Sequence, residues 1–258
     1  MKQGYVKVAA AVPYVKVADC YYNVERISEM VHQADAQGVE IVTFPELSVT
    51  GYTCGDLFLQ PFLLDEANAA LCQLVRDTAD TRTLVIVGMP VRVEEKLFNS
   101  AVVFQQGHIL GAIPKTYLPN YREFQEKRWF SPSDVLQYKT VRIGEHTVPI
   151  GRNILFRSGR VGIGIEICED MWTPYTPGTR LSLYGAHIIF NLSASNENAG
   201  KHNYLRSIIS GLSSQGLCGY VYVSCGYGES STDLVYTGKA FISEIGKIVK
   251  EMKRFEYC

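Results

Sequence analysis

Three side chains with complementary chemistry stand just past three apolar segments: Glu46, Lys115 and Cys168. A thiol attacks as its thiolate, and a carboxylate whose pKa is raised by desolvation is a base able to produce it. A lysine beside the pair favours the thiolate and stabilises a developing oxyanion. Backbone N–H groups after Cys168 would add to that stabilisation. The set therefore suits covalent attack on a carbonyl carbon. Each residue also has an ordinary structural role open to it. Glu46 after Pro45 is a turn or cap candidate, Lys115 a surface lysine, and Cys168 a small core residue. Type and spacing alone leave both readings open.

The elements around these residues give them a common address. Residues 39–44 read as a short β-branched strand leading to Glu46, 108–114 as a strand leading to Lys115, and 160–167 as a strand running into Cys168. In α/β proteins, sites gather outside the carboxyl ends of strands. Further strands are predicted at 6–12, 83–88, 99–105, around 140–156, at 187–192 and at 219–225. Residues 99–105 and 108–114 join through a tight turn at Gln106-Gly107, and 239–243 and 247–252 form a last hairpin around Ile245-Gly246. Helices are predicted at 23–37, 63–79, 178–184 and 200–215. The first has Val24, Ile27, Val31 and Ala34 on one face and Gly38 at its C-terminal stop. The stretch 115–137 has no clear period, and loops of that length in compact domains are usually functional. Apolar strands interrupted by helices predict an α/β fold of sheets covered by helices, in one domain over 1–258.

Bulk properties narrow the class. With 258 residues, 47% of them hydrophobic, the chain can bury a large core. Lys plus Arg number 25 and Asp plus Glu 26, so no net charge steers it toward nucleic acid or an anionic membrane. Residues 1–5 do not read as a signal peptide, and no stretch is apolar and long enough to span a bilayer. A cytoplasmic protein is expected. The seven cysteines, at 20, 54, 72, 168, 218, 225 and 258, are odd in number and contain no C-x-x-C pair, which argues against a disulfide framework and structural zinc. The histidines at 32, 108, 146, 187 and 202 form no ligand pattern, and no metal is expected.

The local wording around the three residues is more specific. Phe44-Pro45-Glu46-Leu47 with Thr50-Gly51-Tyr52, Pro114-Lys115-Thr116-Tyr117-Leu118-Pro119, and Ile165-Glu166-Ile167-Cys168-Glu169-Asp170 with Trp172 follow one another in order. Together they resemble the nitrilase, or carbon–nitrogen hydrolase, superfamily, over essentially the whole chain. A narrower match runs through Asn120-Tyr121-Arg122-Glu123-Phe124-Gln125-Glu126-Lys127-Arg128, Asn191-Leu192-Ser193-Ala194-Ser195, and the segment from Gly228-Glu229-Ser230-Ser231 to Thr232-Asp233-Leu234-Val235. These segments look like the glutaminase domain of glutamine-dependent NAD synthetases.

The resemblance implies a four-layer αββα sandwich with its site at one end of the sheets. It implies Glu46 as base, Lys115 as oxyanion partner, Cys168 as nucleophile, and Glu126 as a second glutamate supporting the lysine. It places Tyr121, Glu169 and Ser195 in a glutamine pocket, with Tyr52 and Phe124 as further walls. It implies release of ammonia from glutamine for a synthetase domain in cis or in trans, and association into a homo-oligomer. No cofactor is expected for the hydrolase itself; ATP and Mg belong to the synthetase chemistry. The chain is expected to lack that ATP-dependent domain: Ser210-Gly211-Leu212-Ser213-Ser214 reads as helix with small residues, not as a phosphate loop. Pro132-Ser133-Asp134 stands where many relatives have Pro-Gly-Asp. The alternative is a free-standing amidase or nitrilase-type hydrolase acting on another small amide or nitrile. A binding domain with an inactive catalytic set is disfavoured by the intact Glu, Lys and Cys.

Overall fold

The computed structural model describes residues 4–231 and 233–256; residues 1–3 of the N-terminal stretch, Thr232 of the 228–235 segment, Tyr257 and the cysteine at 258 lie outside the described residues. Strands β1 (Val8–Ala10), β2 (Ile41–Thr43), β3 (Leu84–Val93), β4 (Lys96–Gln105) and β5 (His108–Pro114) form one sheet in that order. A second sheet runs β13 (Lys247–Glu251), β12 (Ala240–Glu244), β11 (Gly219–Ser224), β10 (Ile188–Ser193), β9 (Val161–Ile167) and β8 (Phe156–Ser158). Strands β6 (Thr140–Ile143) and β7 (His146–Pro149) pair separately. Helices α1 (Cys20–Ala36) and α2 (Pro61–Asp77) cover the first sheet, and α3 (Pro177–Leu183) and α4 (Lys201–Gln215) the second.

Strand alternation explains the layering. Along β4, Ala101 and Val103 turn toward the second sheet, while Val102 and Phe104 turn toward α1 and α2. On β9, Ile163, Ile165 and Ile167 meet the first sheet. The opposite face of β9 is Gly162, Gly164 and Glu166, and it lies against α3 and the turn after it. A Cβ on Gly162 would come 2.2 Å from the Gly185 oxygen, and one on Gly164 would come 2.6 Å from Ile189 Cδ1. Two apolar inner faces and one apolar helix pair outside each sheet make the expected αββα sandwich.

Some boundaries differ for local reasons. Helix α1 starts at Cys20, ahead of the expected residue 23, because the Asp19 side chain accepts from Tyr22 N and caps an earlier turn. Strand β3 does not stop at Gly88 but runs to Val93 and pairs with β4 along its length. Pro90 is tolerated because β2 pairs with β3 only as far as Ile86, so no ladder on that side needs its missing N–H. The Gln106-Gly107 turn has two positive φ angles, +48° and +77°, the geometry that matches hairpin twist. Residues 210–214 lie inside α4, as the helical reading expected.

In each sheet the strands that matter point the same way. Strands β1, β2 and β3 are parallel, and two antiparallel steps bring β5 back to their direction. Strands β9, β10 and β11 are parallel in the second sheet. The two carboxyl edges meet where Glu46 N donates to Ser193 O at 3.3 Å, just past β2 and at the end of β10.

The turn carrying Glu46 presses directly on β3. A Cβ on Gly88 would lie 2.2 Å from Leu47 N, 2.7 Å from Pro45 O and 2.8 Å from the Glu46 carbonyl carbon. All three are backbone atoms, which no rotamer change relieves. Gly88→Ala is expected to cost about 1–3 kcal/mol of stability and to displace Glu46. A urea unfolding midpoint equal to wild type would contradict this packing.

Candidate active site

Each of the expected catalytic side chains is set by a different turn. Past β2, Phe44 N donates to Ile86 O at 2.9 Å, and Leu47 adopts a left-handed φ of +51°, turning Glu46 into the space between the sheets. Lys115 continues β5, its N–H donating to Asn99 O at 2.8 Å. Glu126 opens a 3-10 turn, Glu126–Arg128, inside the long loop; its N–H donates to Pro119 O at 3.2 Å, and its carbonyl accepts from Phe130 N at 2.8 Å. Cys168 follows β9 directly and opens the 3-10 turn Cys168–Trp172 with φ +45°. For a residue bearing a Cβ this is strained backbone, of the kind that clusters at functional sites.

These turns deliver a buried, hydrogen-bonded set. Lys115 Nζ donates to Glu46 Oε1 at 2.6 Å and to Glu126 Oε1 at 2.7 Å. Asn99 Nδ2 donates to Glu46 Oε1 at 2.6 Å, and the Tyr52 hydroxyl donates to Glu126 Oε1 at 2.9 Å. Glu46 and Lys115 are both 0% exposed and Glu126 is 1% exposed. The second oxygens, Oε2 of Glu46 and Oε2 of Glu126, are buried with no hydrogen-bond partner among the described residues. Two acceptors thus remain available within the site.

The electrostatics follow from burial and from two acids sharing one base. Burial raises the Glu126 pKa to about 7, against the pull of the Lys115 ammonium. Burial alone would lower Lys115, but the Glu126 and Glu46 carboxylates outweigh it and hold the ammonium charged. The Cys168 thiol is pushed well above the usual range, first by burial and then by the Glu46 charge, with Lys115 opposing. Burial and the Glu46 charge thus favour the protonated form of the Cys168 thiol.

A second tie runs through Asp170. One of its oxygens accepts from Thr116 N at 3.1 Å and Tyr117 N at 2.8 Å, and the other from Ile167 N at 2.9 Å. One carboxylate therefore locks the backbone just after Lys115 to the backbone just before Cys168. Asp170 is in the third quoted motif, but its role depends on two segments far apart in the chain. Asn99 was visible only as the polar first residue of an expected strand.

Cys168 opens into a cleft of about 400 Å³ lined by Tyr121, Phe124, Glu169, Ser195, Asn196 and Lys201, among others. The Tyr121 hydroxyl donates to both Glu169 oxygens, at 3.0 and 3.1 Å, and its ring meets Phe124 edge-on. Ser195 is anchored by its N–H on Ser224 Oγ at 2.9 Å. Lys201, the first residue of α4, donates from Nζ to Asn196 Oδ1 at 2.8 Å, and burial lowers its pKa. No local signal singled it out. Tyr52 does not line this cleft; it lies behind the carboxylates, 6.3 Å from the Tyr236 ring.

A family model described as carbon-nitrogen hydrolase matches residues 7–257. A glutamine-dependent NAD(+) synthetase of Mycobacterium bovis is 37% identical over 257 residues, covering 98% of this chain and 38% of the relative. One of Aquifex aeolicus is 33% identical over 241 residues, covering 93% of this chain and 39% of the relative. The chain thus spans about two-fifths of the length of the curated relatives it matches. The crystal structure of a glutamine-dependent NAD(+) synthetase from Cytophaga hutchinsonii superposes with a TM-score of 0.86 at 27% identity, over 96% of this chain and 40% of that one. An amidase of the nitrilase superfamily from Nesterenkonia shares the fold, with a TM-score of 0.79 at 16% identity, over 99% of this chain and 89% of that one.

The charges around Cys168 set its pH behaviour. Burial and the Glu46 carboxylate both disfavour the thiolate, so alkylation of Cys168 by iodoacetamide is expected to keep accelerating above pH 9. Glu46→Gln removes one negative charge and leaves Lys115 in place, so the inflection moves to lower pH. Mass spectrometry of the labelled peptide across pH reads both. An inflection below pH 8 in the wild type would contradict the arrangement.

Proposed function

Because this chain belongs to the carbon–nitrogen hydrolase family, we propose that it hydrolyses the side-chain amide of glutamine through a Cys168 thioester and supplies the ammonia to NAD synthesis. One observation carries the chemistry: Lys115 bonded to both Glu46 and Glu126, buried beside a strained cysteine that opens into a cleft. Glu46 takes the thiol proton through its unpartnered oxygen as the sulfur attacks the amide carbon. Lys115 and backbone N–H groups after Cys168 stabilise the oxyanion. The protonated Glu46 gives its proton to the leaving nitrogen, and ammonia departs. Glu46 then takes a proton from water, whose oxygen attacks the thioester; as the C–S bond breaks, Glu46 returns that proton to the sulfur and glutamate leaves.

The cleft supports an amino-acid substrate. Glu169, held by the Tyr121 hydroxyl, offers a carboxylate for an α-ammonium. Lys201, held by Asn196, offers a cation for an α-carboxylate. Two opposite charges at one opening suit a zwitterion better than a simple aliphatic amide. The named activity of the M. bovis, A. aeolicus and C. hutchinsonii relatives fits the same substrate. In this reading the ammonia passes to a synthetase domain, in cis or in trans, and ATP and Mg act there.

Cys168→Ala is expected to abolish ammonia release and cost only about 1 kcal/mol of stability, since the side chain is small. Lys115→Ala is expected to lose on the order of 3 kcal/mol of transition-state stabilisation, and Glu46→Gln to block both half-reactions. Ammonia assays with glutamine and a panel of simple amides, alone and with a synthetase domain and its nucleotide substrates, test the whole. Stimulation of glutamine turnover by that addition is expected. Turnover of other amides with none of glutamine would establish the free-standing amidase instead.

A further inference from the structure

Among the buried acids that the mechanism does not use, Glu229 reaches the catalytic turn. It follows β11 in the loop after Cys225 and is 1% exposed. Its oxygens accept from Tyr52 N at 2.6 Å, Thr53 N at 3.1 Å and Thr53 Oγ1 at 3.0 Å, all from the turn after Glu46. Two glycines permit this approach. Gly51, at φ +84°, would put a Cβ 3.2 Å from Glu229 Oε1 and 3.2 Å from Val17 Cα. Gly228, at φ +98°, would put one 1.8 Å from Val15 O. Both segments pack closely on the stretch around Val15 and Val17.

From this turn the hydrogen bonds continue inward. The Tyr52 hydroxyl donates to Glu126 Oε1 at 2.9 Å, the same oxygen that accepts from Lys115 Nζ at 2.7 Å, and Lys115 reaches Glu46 at 2.6 Å. We infer that Glu229 is a positioning residue for the hydrolytic site, fixing the Gly51–Thr53 turn so that Tyr52 holds Glu126 and thereby Lys115 in line. A carboxylate suits the post because it only accepts. A glutamine there would turn its NH₂ toward at least one of three donors. Burying an acid is costly, so its use where an amide has the same shape calls for a reason of this kind. The inference rests on the hydrolase reading above for the meaning of the Lys115 site, but not on the identity of the substrate.

The test is a double-mutant cycle on Glu229→Gln and Tyr52→Phe in the full chain, with two readouts. The first is kcat and KM for ammonia release from glutamine. The second is the alkylation rate of Cys168 by iodoacetamide, which needs no substrate. Each single variant is expected to lower kcat about ten-fold with KM within two-fold, and to slow alkylation several-fold. The double variant should be no worse than the worse single, because both changes break one path. Losses that multiply, or a Glu229→Gln protein with both rates intact, would overturn the inference. If wild type releases no ammonia from glutamine while the alkylation cycle is non-additive, the substrate reading fails and the inference stands. Should Glu229→Gln not fold, Thr53→Val, which deletes one donor, replaces it. A few-fold loss of kcat that vanishes in the Tyr52→Phe background supports the inference, and an equal loss or none in both backgrounds refutes it.

Discussion

Lys115 is a cation buried without access to water, held between two carboxylates that are equally buried. Removing such charges from water costs several kcal/mol per ion, and only close geometry with further hydrogen bonds offsets it. Both partners therefore have to be in place together. Asn99 and Tyr52 supply the additional donors, one to each carboxylate. Removal of Lys115 would leave two buried carboxylates with no cation between them. That cost ties β2, β4, β5 and the 115–137 loop to a single arrangement at the carboxyl edge of the first sheet.

The second sheet contributes Cys168 under a different constraint. Cys168 has to leave β9 in a left-handed conformation, and its backbone is held on one side by Asp170, which also grips the segment after Lys115. The two sheets are thus joined at the site by a carboxylate on backbone N–H groups, beyond the apolar contact that joins them elsewhere. Close backbone approach is what makes this possible. Gly88 lets β3 touch the Glu46 turn, and Gly162 lets β9 touch the turn after α3. The carboxylates hold the lysine charged against its burial, while burial and the Glu46 charge together disfavour a standing thiolate at Cys168.

The order of the strands along the chain, the helix faces and the placement of Glu46, Lys115 and Cys168 just past strands were legible in the sequence. They rest on short-range signals: apolar periodicity, turn residues and motifs of a few neighbouring residues. The same signals showed the tight turn at Gln106-Gly107 and the helical character of 210–214. They failed at Pro90, where a strand continues past a proline because its neighbour has already ended. They also failed at Cys20, where a cap at Asp19 lengthened the helix.

What the tertiary structure decided is which side chains meet across long separations. Tyr52 was expected to wall the pocket, yet it stands behind it, because its hydroxyl is claimed by Glu126, 74 residues away. Lys201 enters the cleft through the start of α4, and Glu229 reaches the turn after Glu46 from 176 or 177 residues away. Asp170 acquires its purpose only when β5 and β9 end side by side. A sequence records residue types and their local spacing, and that determined the reactive groups and the sheets that carry them. Desolvation, shared protons and the pairing of buried acceptors depend on distances between segments remote in the chain, and those exist only once the two sheets have packed.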